Sequence, residues 1–205
     1  MHTVPRGYLS AFADPTAPKR EPHVWRFERA ASFPKLLPVV DVSVKNDIYT
    51  LWADAREPDI SIETKLLAET VESGLPNLVD ALEGGEEPSY EGWRQLARFV
   101  AFQVLRTERS FEKYRDLCPA CRAESRFNEP KLAMVYLAPK LENLICQMKW
   151  LVLSNKSTFP LISSDNPVTT WASRRSGIEC GTGFADHALQ VHVPLSPRIC
   201  LELFH

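Results

Sequence analysis

Gln103 and Arg106 stand three residues apart at the end of Leu96–Leu105, a run that is apolar nearly all round. At helical spacing they share a face, flanked by Phe99 and Phe102. A guanidinium in such surroundings needs a carboxylate or phosphate, because an unpaired buried charge costs several kcal/mol. Asp165, Glu63 and Glu69 are the candidate partners within the chain. A satisfied internal ion pair is one reading of the pattern and an anion site for substrate is the other. Asp165 lies between two strand-like runs, with Phe159, Leu161 and Ile162 before it and Val168, Thr170 and Trp171 after it. Asn166-Pro167 between them is a turn signal, so Asp165 is expected at a strand end, on the rim of a site.

These residues define a possible chemistry. Asp165 and Glu63, with the Asn166 amide, could offer oxygen ligands to magnesium or manganese. Gln103, Arg106 and Asn166 would bind an anionic substrate, and His2 would act as acid or base beside Glu63 and Asp165. Each position also has a plainer explanation. A carboxylate in the first turn of a helix, as at Glu63, is favoured by the macrodipole alone, and Asp before Asn-Pro commonly bonds the local backbone. Cys118-Pro119-Ala120-Cys121 has the spacing of a zinc half-site or a redox pair, but Cys146, Cys180 and Cys200 are scattered and supply no second zinc pair, and a helix end stands where the redox motif needs a preceding strand. No Gly-x-Ser-x-Gly, phosphate-binding glycine loop, dinucleotide fingerprint or EF-hand loop occurs.

The elements that must position these groups follow from periodicity. Thr3 and Pro5 suit the start of a short helix with Tyr8, Leu9 and Phe12 on its apolar side. His23–Ala30 alternates like a strand, and Leu37–Val44 is a second strand broken at Pro38. From Ser61 the pattern is helical, with Ile62, Leu66, Leu67 and Val71 in one arc that has Glu63 at its middle and Glu69 at its edge. Gly74 and Pro76 end or kink this helix before a second short one. A long helix spans Tyr90 to about Leu117, another pattern runs from Leu132 to Met148 with a break at Pro139, and strands return at Trp150–Ser154, Leu189–Val193 and Ile199–Phe204.

Five stretches, in order, carry a resemblance. They are His2–Leu9, then Val24–Phe27 with Asp47–Thr50, then Phe99–Thr107, then Ser164–Pro167, and Pro194–Arg198. Together they resemble domain of unknown function 4238, a mainly bacterial family, over nearly the whole chain. Members usually open with paired histidines, whereas Met1 stands where the first would be. Members also usually continue past the final strand, so the resemblance implies a C-terminally abbreviated copy ending at His205.

With 205 residues, 44% hydrophobic and 24% charged, the chain reads as one α+β domain over residues 1–205. A helical middle segment, about 60–148, packs on a mixed or antiparallel sheet from 23–44 and 150–204. The strands at 24–27, 150–154, 160–163, 168–171, 189–193 and 199–203 are expected in one sheet, with the helix centred on Val100 against it. A net charge of -2 gives no global reason to expect nucleic acid, although the charge is uneven. Asp54 to Glu91 holds eleven acids against two bases, and Gly92 to Arg126 holds eight bases against four acids. Two solvated faces that pair with each other is the plain reading; a polyanion-binding face on the second is the sharper one, which leaves nucleic acid open as a partner. The sequence lacks a signal peptide pattern and any run of about 20 apolar residues, so the cytoplasm is the expected location, and five irregularly spaced cysteines suit a reducing compartment. For function, a metal-assisted hydrolase, on a phosphodiester or other anionic substrate, stands against a non-catalytic ligand-binding or regulatory module whose buried polar cluster is structural.

Overall fold

The computed structural model describes residues 2–52, 58–117, 129–172 and 183–205. Helix α1 (Arg6–Ser10) is followed by strands β1 (His23–Arg26) and β2 (Lys35–Pro38), a 3-10 turn (Val39–Asp41), and the short strands β3 (Leu51–Trp52) and β4 (Pro58–Asp59). A π-helical segment (Ile62–Glu72) leads into α2 (Leu75–Glu83), α3 (Tyr90–Leu105), α4 (Glu108–Leu117) and α5 (Glu129–Cys146). Strands β5 (Lys149–Ser154), β6 (Thr169–Ala172), β7 (Leu189–Pro194) and β8 (Ile199–Phe204) close the chain. The class is α+β, as the patterning implies.

Among the described residues all pairing is antiparallel, but the strands do not merge into the single sheet expected. β1 pairs with β2, β3 with β4, and β5-β8-β7-β6 form a separate four-stranded sheet. Residues 160–163 are loop. Phe159 is 80% and Ile162 78% exposed, so the apolar run there is no buried strand. Pro160 has no ladder donor, and the segment is instead tied to the β7–β8 turn, Leu161 N–H donating to the Pro197 carbonyl at 3.0 Å.

In β7 and β8 every second residue is buried: Leu189, Val191 and Val193, then Ile199, Leu201 and Leu203. That alternation is the half-buried strand pattern. They join one continuous core with α3, whose Leu96, Ala97, Phe99, Val100, Ala101 and Phe102 are all buried. α3 lies chiefly against α5 and touches the sheet where Trp93 meets Trp150, ring centroids 5.3 Å apart.

Three helix boundaries differ from the periodicity. α3 stops at Leu105 because Thr107 opens a new helix, its hydroxyl accepting from Ser110 N–H at 3.2 Å with Glu108 in the first turn. α5 carries Pro139 inside it rather than breaking. Thr3 does not cap α1; its hydroxyl donates to the Ser43 carbonyl at 3.2 Å, and His2 forms a β-bridge with Val44. Gly92 sits where α3 passes α2 and the preceding loop. A Cβ there would lie 3.0 Å from both Leu78 Cδ2 and Pro88 Cβ, so the close approach favours glycine.

The opposite charges of the helical region pair only in part. Arg94 and Arg98 both reach Glu142 on α5, at 2.9 and 3.0 Å, rather than the acidic half. Arg106 crosses between the halves to meet Glu72 at 2.8 Å.

Candidate functional site

The buried end of α3 gathers the polar groups that the sequence singles out. Arg106 is 2% exposed, and each of its three side-chain nitrogens donates to protein. Nη1 meets Glu72 Oε1 at 2.8 Å, Nη2 meets the His2 carbonyl at 2.6 Å, and Nε meets the Tyr49 hydroxyl at 3.2 Å. Tyr49 in turn donates to the Arg106 carbonyl at 3.1 Å. The guanidinium carbon lies 5.4 Å from the Tyr49 ring centroid, within cation–π range. Burial by itself would depress the Arg106 pKa, yet Tyr49 and Glu72 outweigh it and hold the group charged.

The partner is Glu72, where Asp165, Glu63 and Glu69 were expected, and helix type explains the difference. At α-helical spacing Glu72 falls opposite the arc of Ile62, Leu66, Leu67 and Val71. The segment is π-helical over Ile62–Glu72, and the Thr70 hydroxyl reaches five residues back to Lys65 O. Its buried positions are Ile62, Leu67 and Val71, spaced five and four. The wider i→i+5 turn therefore rotates later residues relative to an α-helix and brings Glu72 beside the core. Gly74, at φ 78°, then resets the chain for α2.

Gln103 is fully buried and its amide donates to the Thr3 carbonyl at 3.1 Å. Its Oε1 takes no protein hydrogen bond. Gln103 and Arg106 thus hold consecutive backbone carbonyls, Thr3 and His2, and pin the N-terminal segment to α3. The His2 ring is placed by Nε2, which donates to the Val40 carbonyl at 3.1 Å. Burial lowers its pKa, with the Val40 contact and Glu63 opposing and Arg6 adding to the effect. Glu63 is half-buried and close enough to act on both His2 and Tyr49. Lys131 makes a similar buried anchor in the same region. Its Nζ donates to the Thr50 and Asp47 carbonyls, and burial lowers its pKa against the pull of Asp47.

Asp165 and Asn166 stand outside this cluster. Both are exposed, in a turn organised by Ser164, whose hydroxyl donates to Asn166 O and accepts from Asn166 N–H. Ser163 meets the buried Tyr8 hydroxyl at 2.8 Å, and that hydroxyl also donates to the Pro194 carbonyl. Burial raises the Tyr8 pKa. The turn therefore links α1 to the sheet through Tyr8, while Asp165 makes no contact with Arg106, Glu63 or His2. Among the described residues no group of three His, Cys, Asp or Glu side chains gathers in a metal-binding arrangement. Cys146 and Cys200 are free thiols, and Cys118, Cys121 and Cys180 lie outside the described residues.

Neither of two surface clefts is lined by His2, Glu63 or Asp165. One, about 480 Å³, lies between the π-helical segment and α5, with Ile62, Leu66, Leu132 and Val135 making it mainly apolar. The other, about 540 Å³, lies between the loop after β5 and the β7–β8 turn. Lys156 and Arg198 line it, and neither has a carboxylate partner among the described residues. Sequence reasoning passed over this site. Its signals were the polar run Asn155–Thr158 directly after a strand, and Arg198 at the end of the Pro194–Arg198 stretch.

The sequence profile of the family described as protein of unknown function (DUF4238) matches the chain over residues 1–134 and 124–205. No curated protein and no solved structure matches the chain. No helix among the described residues is long and apolar enough to cross a membrane.

Proposed function

The chain belongs to this family, whose description assigns no activity, and from that premise we propose that it is a non-catalytic ligand-binding module. The Arg106 cluster locks the fold, and ligand enters the polar cleft between the β5 loop and the β7–β8 turn. One observation carries this reading: all three Arg106 nitrogens are committed to Glu72, His2 and Tyr49 in a side chain that is 2% exposed. A hydrolase with His2, Glu63 and Asp165 as catalytic groups and Gln103, Arg106 and Asn166 on the substrate needs that guanidinium at a solvent-reachable surface. Breaking its pairing to recruit a substrate would take the guanidinium from Glu72 and the His2 carbonyl, at a penalty of several kcal/mol. The cleft of about 540 Å³, by contrast, has the size of small-molecule sites.

The test is a thermal-shift and chemical-shift-mapping screen with sugars, nucleosides, amino acids and small anions. A ligand of the native state raises the melting temperature, and the shifts are expected at Lys156, Thr158 and Arg198. Arg106→Lys is expected to lower stability and leave ligand affinity unchanged. If Arg106→Lys keeps its stability and loses the ligand, the lock assignment falls. Magnesium- or manganese-dependent turnover of a phosphodiester, lost in His2→Ala, would restore the hydrolase reading.

A further inference from the structure

The loop that walls the cleft is built rather than left to solvent. Asn155 Oδ1 accepts from the Ser157 amide at 3.0 Å and the Ser157 hydroxyl at 2.8 Å, and its amide donates to Phe159 O at 2.7 Å and Pro197 O at 3.2 Å. Asn155 N–H adds a bond to Arg198 O at 2.7 Å. The opposite side is equally fixed. Ser196 donates its hydroxyl to Glu83 and accepts from the amides of Arg198 and Ile199 at 3.1 and 3.3 Å, tying the β7–β8 turn to the end of α2. A site whose loop is already ordered loses less conformational freedom on binding.

The donors in this frame are of one kind. Lys156, Arg198, Ser154 and Thr158 line the cleft, and their ammonium, guanidinium and hydroxyl groups have no side-chain partner among the described residues. The amides of Lys156 and Thr158 are likewise unpaired. Glu83 is the one acid in the lining among the described residues, and one of its oxygens is occupied by Ser196. Ammonium, guanidinium, hydroxyl and amide donors together suit an oxyanion with several terminal oxygens, and a fork-shaped guanidinium favours phosphate and carboxylate. The single carboxylate can accept a hydroxyl from the organic part of such a ligand.

Resting on the ligand-binding reading above, we propose that the cleft takes a small phosphomonoester, with Lys156 and Arg198 holding its phosphate. Glycerol 3-phosphate and inorganic phosphate are the probes, with glycerol and citrate as controls, by calorimetry and chemical-shift mapping on the full chain in chloride buffer. Glycerol 3-phosphate is expected to bind and shift Lys156, Thr158 and Arg198, inorganic phosphate to bind more weakly, and both to weaken as salt is raised. Both cations are exposed, so Lys156→Ala and Arg198→Ala fold. Each is expected to lower affinity about tenfold or more, the scale of one charge-assisted hydrogen bond, and the double variant to remove binding.

Phosphate binding that survives in the double variant overturns the proposal. So does citrate binding as tightly as glycerol 3-phosphate. If neither phosphate compound binds while a neutral compound shifts the same residues, the phosphomonoester is wrong and the ligand-binding reading stands. If no compound of either screen perturbs the cleft, both fall.

Discussion

Arg106 and Arg198 each lie near the end of one of the stretches that carry the family resemblance, yet they occupy opposite environments. Arg106 is sealed between α3, the π-helical segment and the N-terminal segment at His2, with every nitrogen engaged. Arg198 is exposed beside Lys156, with its side chain unpaired among the described residues. A buried cation must be satisfied inside the protein, so it fixes structure; an exposed one in a cleft keeps its donors for a ligand. Burial, more than residue type, separates the two roles.

The comparison is broken most forcefully at Arg106. Arg106→Ala takes the guanidinium from Glu72 and the His2 carbonyl and leaves the Tyr49 hydroxyl only its bond to the residue 106 carbonyl, and is expected to cost about 3–5 kcal/mol in denaturant unfolding. Arg106→Lys should recover only part of this, because an ammonium cannot meet three partners in one plane. A loss under about 1 kcal/mol, typical of surface ion pairs, would put Arg106 in the same class as Arg198. Lys131→Met extends the test to the second buried cation. Losing its bonds to the Thr50 and Asp47 carbonyls should cost about 1–3 kcal/mol, read from the same unfolding curves.

Tyr8→Phe removes the hydroxyl that joins α1 to Ser163 and Pro194 while keeping its packing on Phe99. About 1 kcal/mol of stability should go with it, and faster amide exchange near Ser163 is the accompanying sign. His2 gives a pH test. Its pKa is lowered in the folded state, so below about pH 6.5 the unfolded chain takes up the proton first. Stability should therefore be fully present above that pH and fall as pH drops from there toward the folded-state pKa. His2→Asn should flatten that part of the stability profile, and an unchanged profile would remove His2 from the buried cluster. Asp165→Ala sits at the small end. An exposed carboxylate in a turn held by Ser164 should change stability by no more than about 0.5 kcal/mol. A loss on the scale of Arg106→Ala would show that the turn carries the ion pair.

Much of the architecture was readable from pattern alone. Alternation marked β7 and β8, the all-round apolar run marked α3 as buried, and a polar pair within that run marked Gln103 and Arg106 as needing partners. Those are properties of local spacing and of the penalty for burying unpaired polarity, and both are written in residue order. The family assignment was legible too, since the five stretches that carry the resemblance fall within the residues that the family profile matches.

Which acid meets Arg106 was beyond that reading, because a π-helical turn changes the angle between residues and moved the contact from Glu63 and Glu69 to Glu72. The division into separate sheets likewise depended on which strand edges met: β1 found β2, and the apolar run at 159–162 is loop, tied by a Leu161 hydrogen bond to the β7–β8 turn. The cleft formed from Glu83, Lys156 and Arg198 joins residues far apart in the chain. Residue types and spacing determined what had to be buried and what needed a partner; only the tertiary structure, by choosing helix register and strand partners, decided which groups met and which stayed open to ligand.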